Sequence, residues 1–169
     1  SVIHLATNYG RNDEDEINLC NFILPVKLLE LCNENNVPAF LNADSFFSDL
    51  PDSYPYLKEY RKSKLDFRNH GINSTNAGNT KFLNLRIFHM YGPNDGPGKF
   101  VNDMMEMISK NVNEIDLTDG MQLRDFVYIK DVVNAFYLVF MHSDQIKENY
   151  ASFDVCTNKK VSIKSFLQT

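Results

Sequence analysis

Three residues whose side chains can move a proton together are the most informative feature of this sequence. Tyr60 and Lys64 are four residues apart, so on a helix their side chains project from the same face. A protonated lysine beside a phenol favours the phenolate, so we expect Lys64 to lower the pKa of Tyr60. Ser45 lies fifteen residues before Tyr60, just after a predicted strand, and offers a hydroxyl to a substrate oxygen. The trio predicts proton transfer to or from a carbonyl or alcohol while a hydride moves to or from a nicotinamide.

The same Tyr-x-x-x-Lys spacing also occurs at Tyr54 and Lys58. Pro55 disfavours helical geometry for the residue before it, so Tyr54 is the weaker candidate. An isolated match of this kind is more often part of a solvent-exposed helix face than of a catalytic site. Ser45 at the end of a strand favours the catalytic interpretation of Tyr60 and Lys64.

Strand and helix patterns alternate along the chain. Apolar runs predict strands over residues 2–6, 38–43, 82–88, 126–129 and 150–156, with a shorter one at Ile115 and Leu117. Periodic apolar positions predict helices over residues 14–35, 56–69, 99–111 and 131–142. We expect a kink or join at Pro25 in the first of these helices. Asp131 is the expected cap of the fourth helix, and Ser162 is the expected cap of a final one. Polar stretches predict loops over residues 7–13, 48–55 and 71–80. The alternation is typical of βαβ units and a parallel sheet, which is an α/β fold.

Three of the predicted strands have a polar side chain at or just after their carboxyl ends. The residue pairs at these ends are Ala6-Thr7, Asp44-Ser45 and Phe88-His89. Ligands of open α/β sheets bind beyond the carboxyl ends of the strands, so we expect these residues to converge on one edge of the sheet.

Composition excludes several classes of function. The 169 residues carry a net charge of −5, which gives neither nucleic acid nor an anionic membrane surface a basic partner. No apolar run is long enough to span a bilayer. The three cysteines are widely spaced, which is typical of reduced thiols rather than of disulfides or a zinc site. We therefore expect a cytoplasmic protein without a bound metal.

Several blocks in one order resemble the extended short-chain dehydrogenase/reductase family, the nucleotide-sugar epimerases and dehydratases. The most specific are Leu85-Arg86-x-Phe88-x-x-Tyr91-Gly92-Pro93 and Arg124-Asp125-Phe126-Val127-Tyr128-Ile129-x-Asp131-Val132. The resemblance implies that the chain is the second part of a Rossmann-like doubly wound parallel sheet with a small substrate-binding region. It divides the chain into a nucleotide-binding part (residues 1–90), a substrate-binding excursion (91–123) and a return to the sheet (124–169).

The resemblance also implies a role for each matching residue. Tyr60 is the general acid or base, Lys64 binds the nicotinamide ribose and tunes Tyr60, and Ser45 binds the reacting oxygen. The expected contacts of NAD or NADP are Ala6, Thr7, Asn21, Tyr60, Lys64 and Phe88. The expected contacts of a nucleotide-sugar substrate are Ser45, His89, Lys99, Phe100 and Arg124. Relatives often dimerise through two long helices, one of them the Tyr60 helix, so the resemblance implies a homodimer for the complete protein.

Structural alternatives remain open for five of these residues. Asn21 could bridge backbone groups, Phe88 could belong to the core, His89 could be a satisfied strand-end histidine, Lys99 could be a solvated helix end, and Arg124 could pair with Asp125 or Asp131.

The sequence departs from the family pattern at two places, and these departures bear on cofactor binding and on the type of reaction. None of the seven glycines forms the Gly-rich turn that receives the pyrophosphate, and the chain opens directly on an apolar strand. We therefore expect a fragment that binds dinucleotide poorly alone. Phe46 and Phe47 stand where 4,6-dehydratases of the family carry an Asp-Glu pair, which disfavours dehydration. Reduction of a 4-keto nucleotide sugar is then the leading expectation, with 4-epimerisation or a non-catalytic binding protein as alternatives.

Overall fold

The computed structural model describes residues 1–9, 13–51 and 53–168. In chain order its elements are β1 (Val2–His4), α1 (Glu14–Asn18), a π-helical turn (Leu19–Ile23), α2 (Leu24–Glu34), β2 (Ala39–Ser45), a 3₁₀ turn (Phe46–Asp49), α3 (Lys58–Ser74), β3 (Lys81–Ile87), β4 (His89–Tyr91), α4 (Phe100–Ser109), β5 (Leu123–Arg124), β6 (Phe126–Tyr128), α5 (Ile129–Met141), β7 (Tyr150–Val155), β8 (Val161–Ser162) and α6 (Ile163–Phe166). None of the described helices is long and apolar enough to cross a membrane.

The chain divides into two compact units. The first unit contains residues 1–87 and 135–155, and the second contains residues 88–134 and 156–169. The boundaries expected from the sequence, at residues 90 and 123, stay a prediction.

The first unit is built on a four-stranded parallel sheet in the order β1-β2-β3-β7. This confirms the predicted α/β fold with a parallel sheet. Side chains on both faces of the central strands are buried, including Phe40 and Leu41 on β2 and Phe82 and Leu83 on β3. Burial on both faces is the usual state of a parallel sheet and explains why these strands are nearly continuous apolar runs.

Three consecutive rows of side chains cross one face of this sheet. The first row is aromatic, with ring centroids 6.1 Å apart for Phe40 and Phe82 and 6.2 Å apart for Phe82 and Tyr150. The second row is polar and the third is charged; their members are His4, Asn42, Asn84 and Ser152, and then Asp44, Arg86 and Asp154. The side chains on this face therefore change from aromatic to polar and then to charged toward the carboxyl ends of the strands.

Helix α3 packs on the same core and continues five residues beyond its predicted end. Phe67 on α3 contacts Phe40 and Phe82, with ring centroids 5.9 Å and 5.6 Å away. Gly71 was expected in a loop but lies buried in α3, and a Cβ there would stand 2.3 Å from Cζ of Phe82. The helix continues through this glycine because the missing side chain lets it approach the sheet, so the predicted helix end was wrong.

The long helix predicted over residues 14–35 is interrupted as expected near Pro25. The backbone N–H of Leu24 bonds to the carbonyl of Leu19, five residues back, and Pro25 then occupies the first turn of α2. Proline has no N–H to donate and is tolerated in the first turn of a helix. The prediction of a join at Pro25 is confirmed, and the join is a π-helical turn.

Some local predictions were wrong. Ile115 and Leu117 are not in a strand, and Asp131 lies inside the first turn of α5, which begins at Ile129. Ile3 is 42% exposed, because β1 is an edge strand paired, among the described residues, with β2 alone. Met105 and Ile108, expected on the apolar side of α4, are exposed. Within the predicted loop over residues 7–13, residues 10–12 lie outside the described residues, as do residue 52 of the loop over 48–55 and residue 169 at the end of the chain.

The second unit contains two short strand pairs. Strands β4 and β6 are parallel, and β5 and β8 are antiparallel. Phe126 on β6 stacks on Phe166, with ring centroids 4.3 Å apart, and on Phe100, at 6.4 Å. Ser162 caps α6 by accepting a hydrogen bond from the Ser165 N–H at 3.0 Å, which confirms its predicted role.

Candidate active site

Ser45 is the last residue of β2, where the extended strand turns into the 3₁₀ turn. Its hydroxyl oxygen accepts a hydrogen bond from the Phe47 N–H at 3.3 Å and so caps that turn. Arg61, on the helix that carries Tyr60, donates to the carbonyls of Phe47, Leu50 and Pro51 at 3.1, 2.6 and 2.7 Å. The segment after Ser45 is therefore fixed to α3, by an arginine that the sequence analysis did not single out.

Tyr60 and Lys64 lie one turn apart on α3 and are almost completely buried. The Lys64 Nζ atom is 5.9 Å from the centroid of the Tyr60 ring and donates a hydrogen bond to the Ala43 carbonyl at 2.9 Å. The Ser45 side chain also acts on the Tyr60 phenol, whose pKa it lowers through a hydrogen bond. The structure thus brings the predicted trio together at the carboxyl end of β2.

The competing pair at Tyr54 and Lys58 is not on one helix. Helix α3 begins at Lys58, and the residue before it, Leu57, has a left-handed backbone with φ of 53°. Tyr54 therefore precedes the helix, in agreement with the expected effect of Pro55.

The pKa of Tyr60 is raised, which is opposite to the expected direction. Burial is the largest cause, and the neighbouring Tyr9 adds to the rise, whereas the hydrogen bond with Ser45 opposes it. The pKa of Lys64 is lowered to about 8, also mainly by burial, and Asp44 and Cys20 oppose that change. The expectation that Lys64 lowers the pKa of Tyr60 was wrong because removal of water outweighs the attraction between neighbouring charges.

Tyr9 is a site residue that the sequence analysis missed. Its ring stacks on that of Tyr60, with centroids 4.7 Å apart and planes 19° apart. Tyr9 is 38% exposed, whereas Tyr60 is 4% exposed. No motif or strand end marks Tyr9, so only the folded structure associates it with the trio.

Asn21 connects the segment after β1 to the Tyr60 helix. Its carbonyl oxygen accepts hydrogen bonds from the Asn8 N–H at 2.7 Å and the Thr7 hydroxyl at 3.3 Å. Its amide donates to the Asn8 carbonyl at 2.8 Å and to the Ser63 hydroxyl at 3.1 Å. Asn21 is only 1% exposed, while Ala6 and Thr7 are exposed. The bridging role proposed as an alternative for Asn21 is therefore present, and its contribution to cofactor binding stays a prediction.

A separate cavity of about 360 Å³ lies within the second unit. Three of the predicted substrate-binding residues, His89, Phe100 and Arg124, line it. The remaining lining residues were not predicted as site residues; they are Asp116, Leu117, Thr118, Gln122, Phe126 and Ile163. Phe126 belongs to the motif that begins at Arg124, which was the only sequence signal for it.

The cavity combines the aromatic rings of Phe100 and Phe126 with two charged residues, Asp116 and Arg124. Burial lowers the pKa of His89 to about 4, and the Arg124 guanidinium contributes to that shift, so His89 is neutral near pH 7. In the described part of the chain Arg124 forms no ion pair, so the alternative pairing with Asp125 or Asp131 is not observed. Lys99 immediately precedes α4 and does not line the cavity.

Phe88 lies between β3 and β4 and is half-buried. Its expected contact with the nicotinamide stays a prediction.

A comparison with known protein families identifies the family of this chain. Residues 1–155 match the model of the NAD dependent epimerase/dehydratase family. The chain belongs to this family. Its membership confirms the resemblance that the motifs predicted and the Rossmann-like fold that the parallel sheet indicated.

Two curated relatives match this family member over nearly its whole length. CDP-abequose synthase from Salmonella typhimurium strain LT2 is 37% identical over 168 residues, which is 98% of this chain and 56% of that protein. The enzyme of the same name from Salmonella muenchen is 33% identical over 171 residues, which is 99% of this chain and 57% of that protein. This chain thus spans a little over half the length of the curated relatives that it matches.

A solved structure shares the fold of this chain. MoeE5 in complex with UDP-glucuronic acid and NAD superposes with a TM-score of 0.79 at 25% identity, and the match covers 99% of this chain and 60% of that protein.

Proposed function

We propose that the complete gene product containing this chain is an NAD(P)-dependent oxidoreductase that reduces the 4-keto group of a CDP- or dTDP-linked deoxysugar. The observation that carries the proposal is the buried trio of Ser45, Tyr60 and Lys64 at the carboxyl end of β2. The likeness to CDP-abequose synthases supports a nucleotide sugar as the substrate.

The residues present fit the nicotinamide end of the cofactor. Lys64 offers a cation to the hydroxyls of a ribose, Tyr60 offers a phenol beside it, and the exposed Thr7 lies on the segment that Asn21 holds. No Gly-rich turn for the pyrophosphate occurs among the 169 residues, so that end of the cofactor has no expected contacts here. Bound NAD(P)H would supply the hydride that adds to C4.

Each member of the trio has one task in the proposed step. The Ser45 hydroxyl donates a hydrogen bond to the C4 oxygen and fixes its position. A phenol is neutral at pH 7 at its ordinary pKa of about 10, and burial raises the pKa of Tyr60 further, so its hydroxyl carries the proton that the oxygen receives. A charged Lys64 stabilises the phenolate that remains after the transfer. The proton is then restored from solvent.

The cavity of the second unit is the proposed site for the nucleotide part of the substrate. Phe100 and Phe126 offer ring faces, and the forked donors of Arg124 suit a ribose or a diphosphate. The neutral His89 can donate or accept one hydrogen bond without adding charge.

Phe46 and Phe47 disfavour the dehydratase alternative. Their ring centroids are 4.2 Å apart immediately after Ser45, and neither side chain can move a proton. A 4-epimerase needs the same Ser, Tyr and Lys and therefore remains the second candidate.

Cofactor consumption separates the two candidates. The complete gene product is incubated with a CDP-linked 4-keto-6-deoxysugar and NADPH, and with the corresponding dTDP sugar. A reductase oxidises one NADPH for each alcohol formed, which absorbance at 340 nm and mass spectrometry measure. An epimerase instead converts a 4-hydroxy nucleotide sugar without added NADPH. Conversion of that sugar with no net NADPH oxidation would contradict the proposed reductase.

A further inference from the structure

Asp44 is a buried carboxylate next to the trio that the proposed reaction does not use. Its side chain has no exposed surface. It accepts hydrogen bonds from the Ser45 N–H at 2.7 Å and from the Asn84 amide at 2.9 Å, and it pairs with the Arg68 guanidinium at 3.2 Å. Asn84 is in turn held by the Asn42 amide at 2.8 Å, so the polar row of the sheet fixes the orientation of Asp44.

The same carboxylate acts on the charge of the lysine of the trio. Lys64 donates its hydrogen bond to the carbonyl of Ala43, the residue before Asp44. The charged or titratable groups facing Lys64 come from four elements: His4 on β1, Asp44 on β2, Cys20 on the π-helical turn and Tyr60 on α3. Burial favours a neutral lysine, and Asp44 is the largest influence in the opposite direction.

Among the described residues, Asp44 is one of two carboxylate partners of the Arg68 guanidinium. The guanidinium also pairs with Asp49, which in turn pairs with Arg86. Asp49 is 37% exposed in its side chain, so Arg68 has a second carboxylate at the edge of the core. Asp44, by contrast, has no exposed surface and lies between Ala43, which binds Lys64, and Ser45. The two acids that pair with Arg68 therefore differ in burial and in their proximity to the residue that binds Lys64.

We propose that Asp44 is a positioning residue for the proposed reaction, whose buried carboxylate keeps the Lys64 ammonium charged beside Tyr60. This inference rests on the proposed function for its effect on rate, because a charged Lys64 stabilises the Tyr60 phenolate. It concerns a residue that does not itself touch the substrate. The charge of Lys64 is then set by two opposing causes, burial and the Asp44 carboxylate.

The test compares Asp44→Asn with Asp49→Asn in the complete gene product. Both changes remove a carboxylate partner of Arg68, but only the first removes the negative charge beside Lys64. A lysine whose pKa falls loses its charge at lower pH, so kcat of Asp44→Asn should decline at a pH about one unit lower than in the wild type. At pH 9 that shift corresponds to a loss of about tenfold in kcat, and at pH 6 to almost none. Asp49→Asn should retain the wild-type pH profile.

A direct titration of Lys64 tests the inference without any turnover. Nuclear magnetic resonance of the ¹³C-labelled lysine side chains gives the pKa of Lys64, with Lys64→Gln used for assignment. We expect about 8 in the wild type and a value lower by about one unit in Asp44→Asn. An unchanged Lys64 pKa in a folded Asp44→Asn variant would overturn the inference.

The wild-type measurement keeps the inference testable if Asp44→Asn does not fold. A Lys64 that is already neutral at pH 7 in the wild type contradicts it, since Asp44 would then fail to hold the charge. A Lys64 that is charged at pH 7 while the protein turns over no nucleotide sugar supports the role of Asp44 and counts against the proposed function. Failure of the inference about Asp44 and failure of the proposed function therefore give different results.

Discussion

At the scale of single residues, the candidate site depends on ionisable groups from which water is almost excluded. Lys64 is 2% exposed and Tyr60 is 4% exposed, so burial has more influence on their pKa values than their mutual distance. A phenol with a raised pKa holds its proton until a stronger base forms next to it. An alkoxide forming at C4 of a sugar is such a base, which suits Tyr60 to the role of general acid.

Replacement of Tyr60 by Phe should lower kcat of the complete gene product by at least about a hundredfold, because general acid catalysis typically contributes 10²–10⁴-fold. The measurement is steady-state oxidation of NADPH with the 4-keto sugar nucleotide. Tyr54→Phe is the matched control, since it removes the same hydroxyl from the other Tyr-x-x-x-Lys pair, outside α3. A near-normal rate for Tyr60→Phe would remove this phenol from the mechanism.

The proximity of Ser45, Tyr60 and Lys64 could be predicted from the sequence, whereas the electrostatics of the trio could not. Spacing and the end of a strand were enough to select Ser45, Tyr60 and Lys64. The direction of the pKa shift at Tyr60 depends on burial, which arises only when α3 packs on the sheet. The stacking of Tyr9 on Tyr60 has no local signal for the same reason, because it joins residues 51 positions apart.

At the scale of elements, the candidate site depends on the accurate placement of helix α3. It carries Tyr60 and Lys64 on one face and rests on the aromatic row of the sheet through Phe67. Gly71 sets how closely its last turns approach Phe82. The four strands of the parallel sheet were predictable from apolar runs, but the end of α3 was not, because a glycine that permits close packing resembles a glycine in a loop.

The substitution Gly71→Ala should therefore destabilise the protein. Alanine favours a helix over glycine by about 1 kcal/mol, but here its Cβ would meet the fully buried Phe82 ring, and overpacking of this kind costs about 1–3 kcal/mol. Chemical denaturation of the complete gene product measures the difference. Gly96→Ala is the control, since its Cβ would meet no atom within 4 Å and should leave stability unchanged. Equal stability of the two variants would refute the packing role of Gly71.

At the scale of the whole molecule, this chain contains one end of the proposed cofactor site. The trio and Thr7 suit the nicotinamide end, while the 169 residues include no Gly-rich turn for the pyrophosphate. The family and its fold were predictable from ordered motifs spread along the chain. The cavity around Arg124 was predictable only in part, since its motif indicated Arg124 but not Asp116 or Thr118.

The isolated 169-residue chain should accordingly bind NADPH at least about a hundredfold more weakly than the complete gene product, because the charge-assisted hydrogen bonds to the pyrophosphate are missing. Isothermal titration calorimetry of both proteins gives the two dissociation constants. Circular dichroism of the isolated chain serves as the control for folding. Tight, stoichiometric binding of NADPH by the isolated chain would show that the pyrophosphate needs no Gly-rich turn.

The order of strands has a consequence for how this protein is made. β7 pairs with β3 in the sheet, yet residues 88–149 separate the two strands in the chain. During synthesis from the N-terminus, the outer edge of β3 must wait for β7 to emerge from the ribosome, which takes several seconds at about 5–20 residues per second. Over that interval Phe82, Leu83 and Leu85 belong to an apolar strand that is paired with β2 on one edge and open on the other, and an open edge can pair with other nascent chains. Slower translation of residues 88–149 should therefore increase aggregation of newly made protein, and chaperones that shield exposed strands should reduce it.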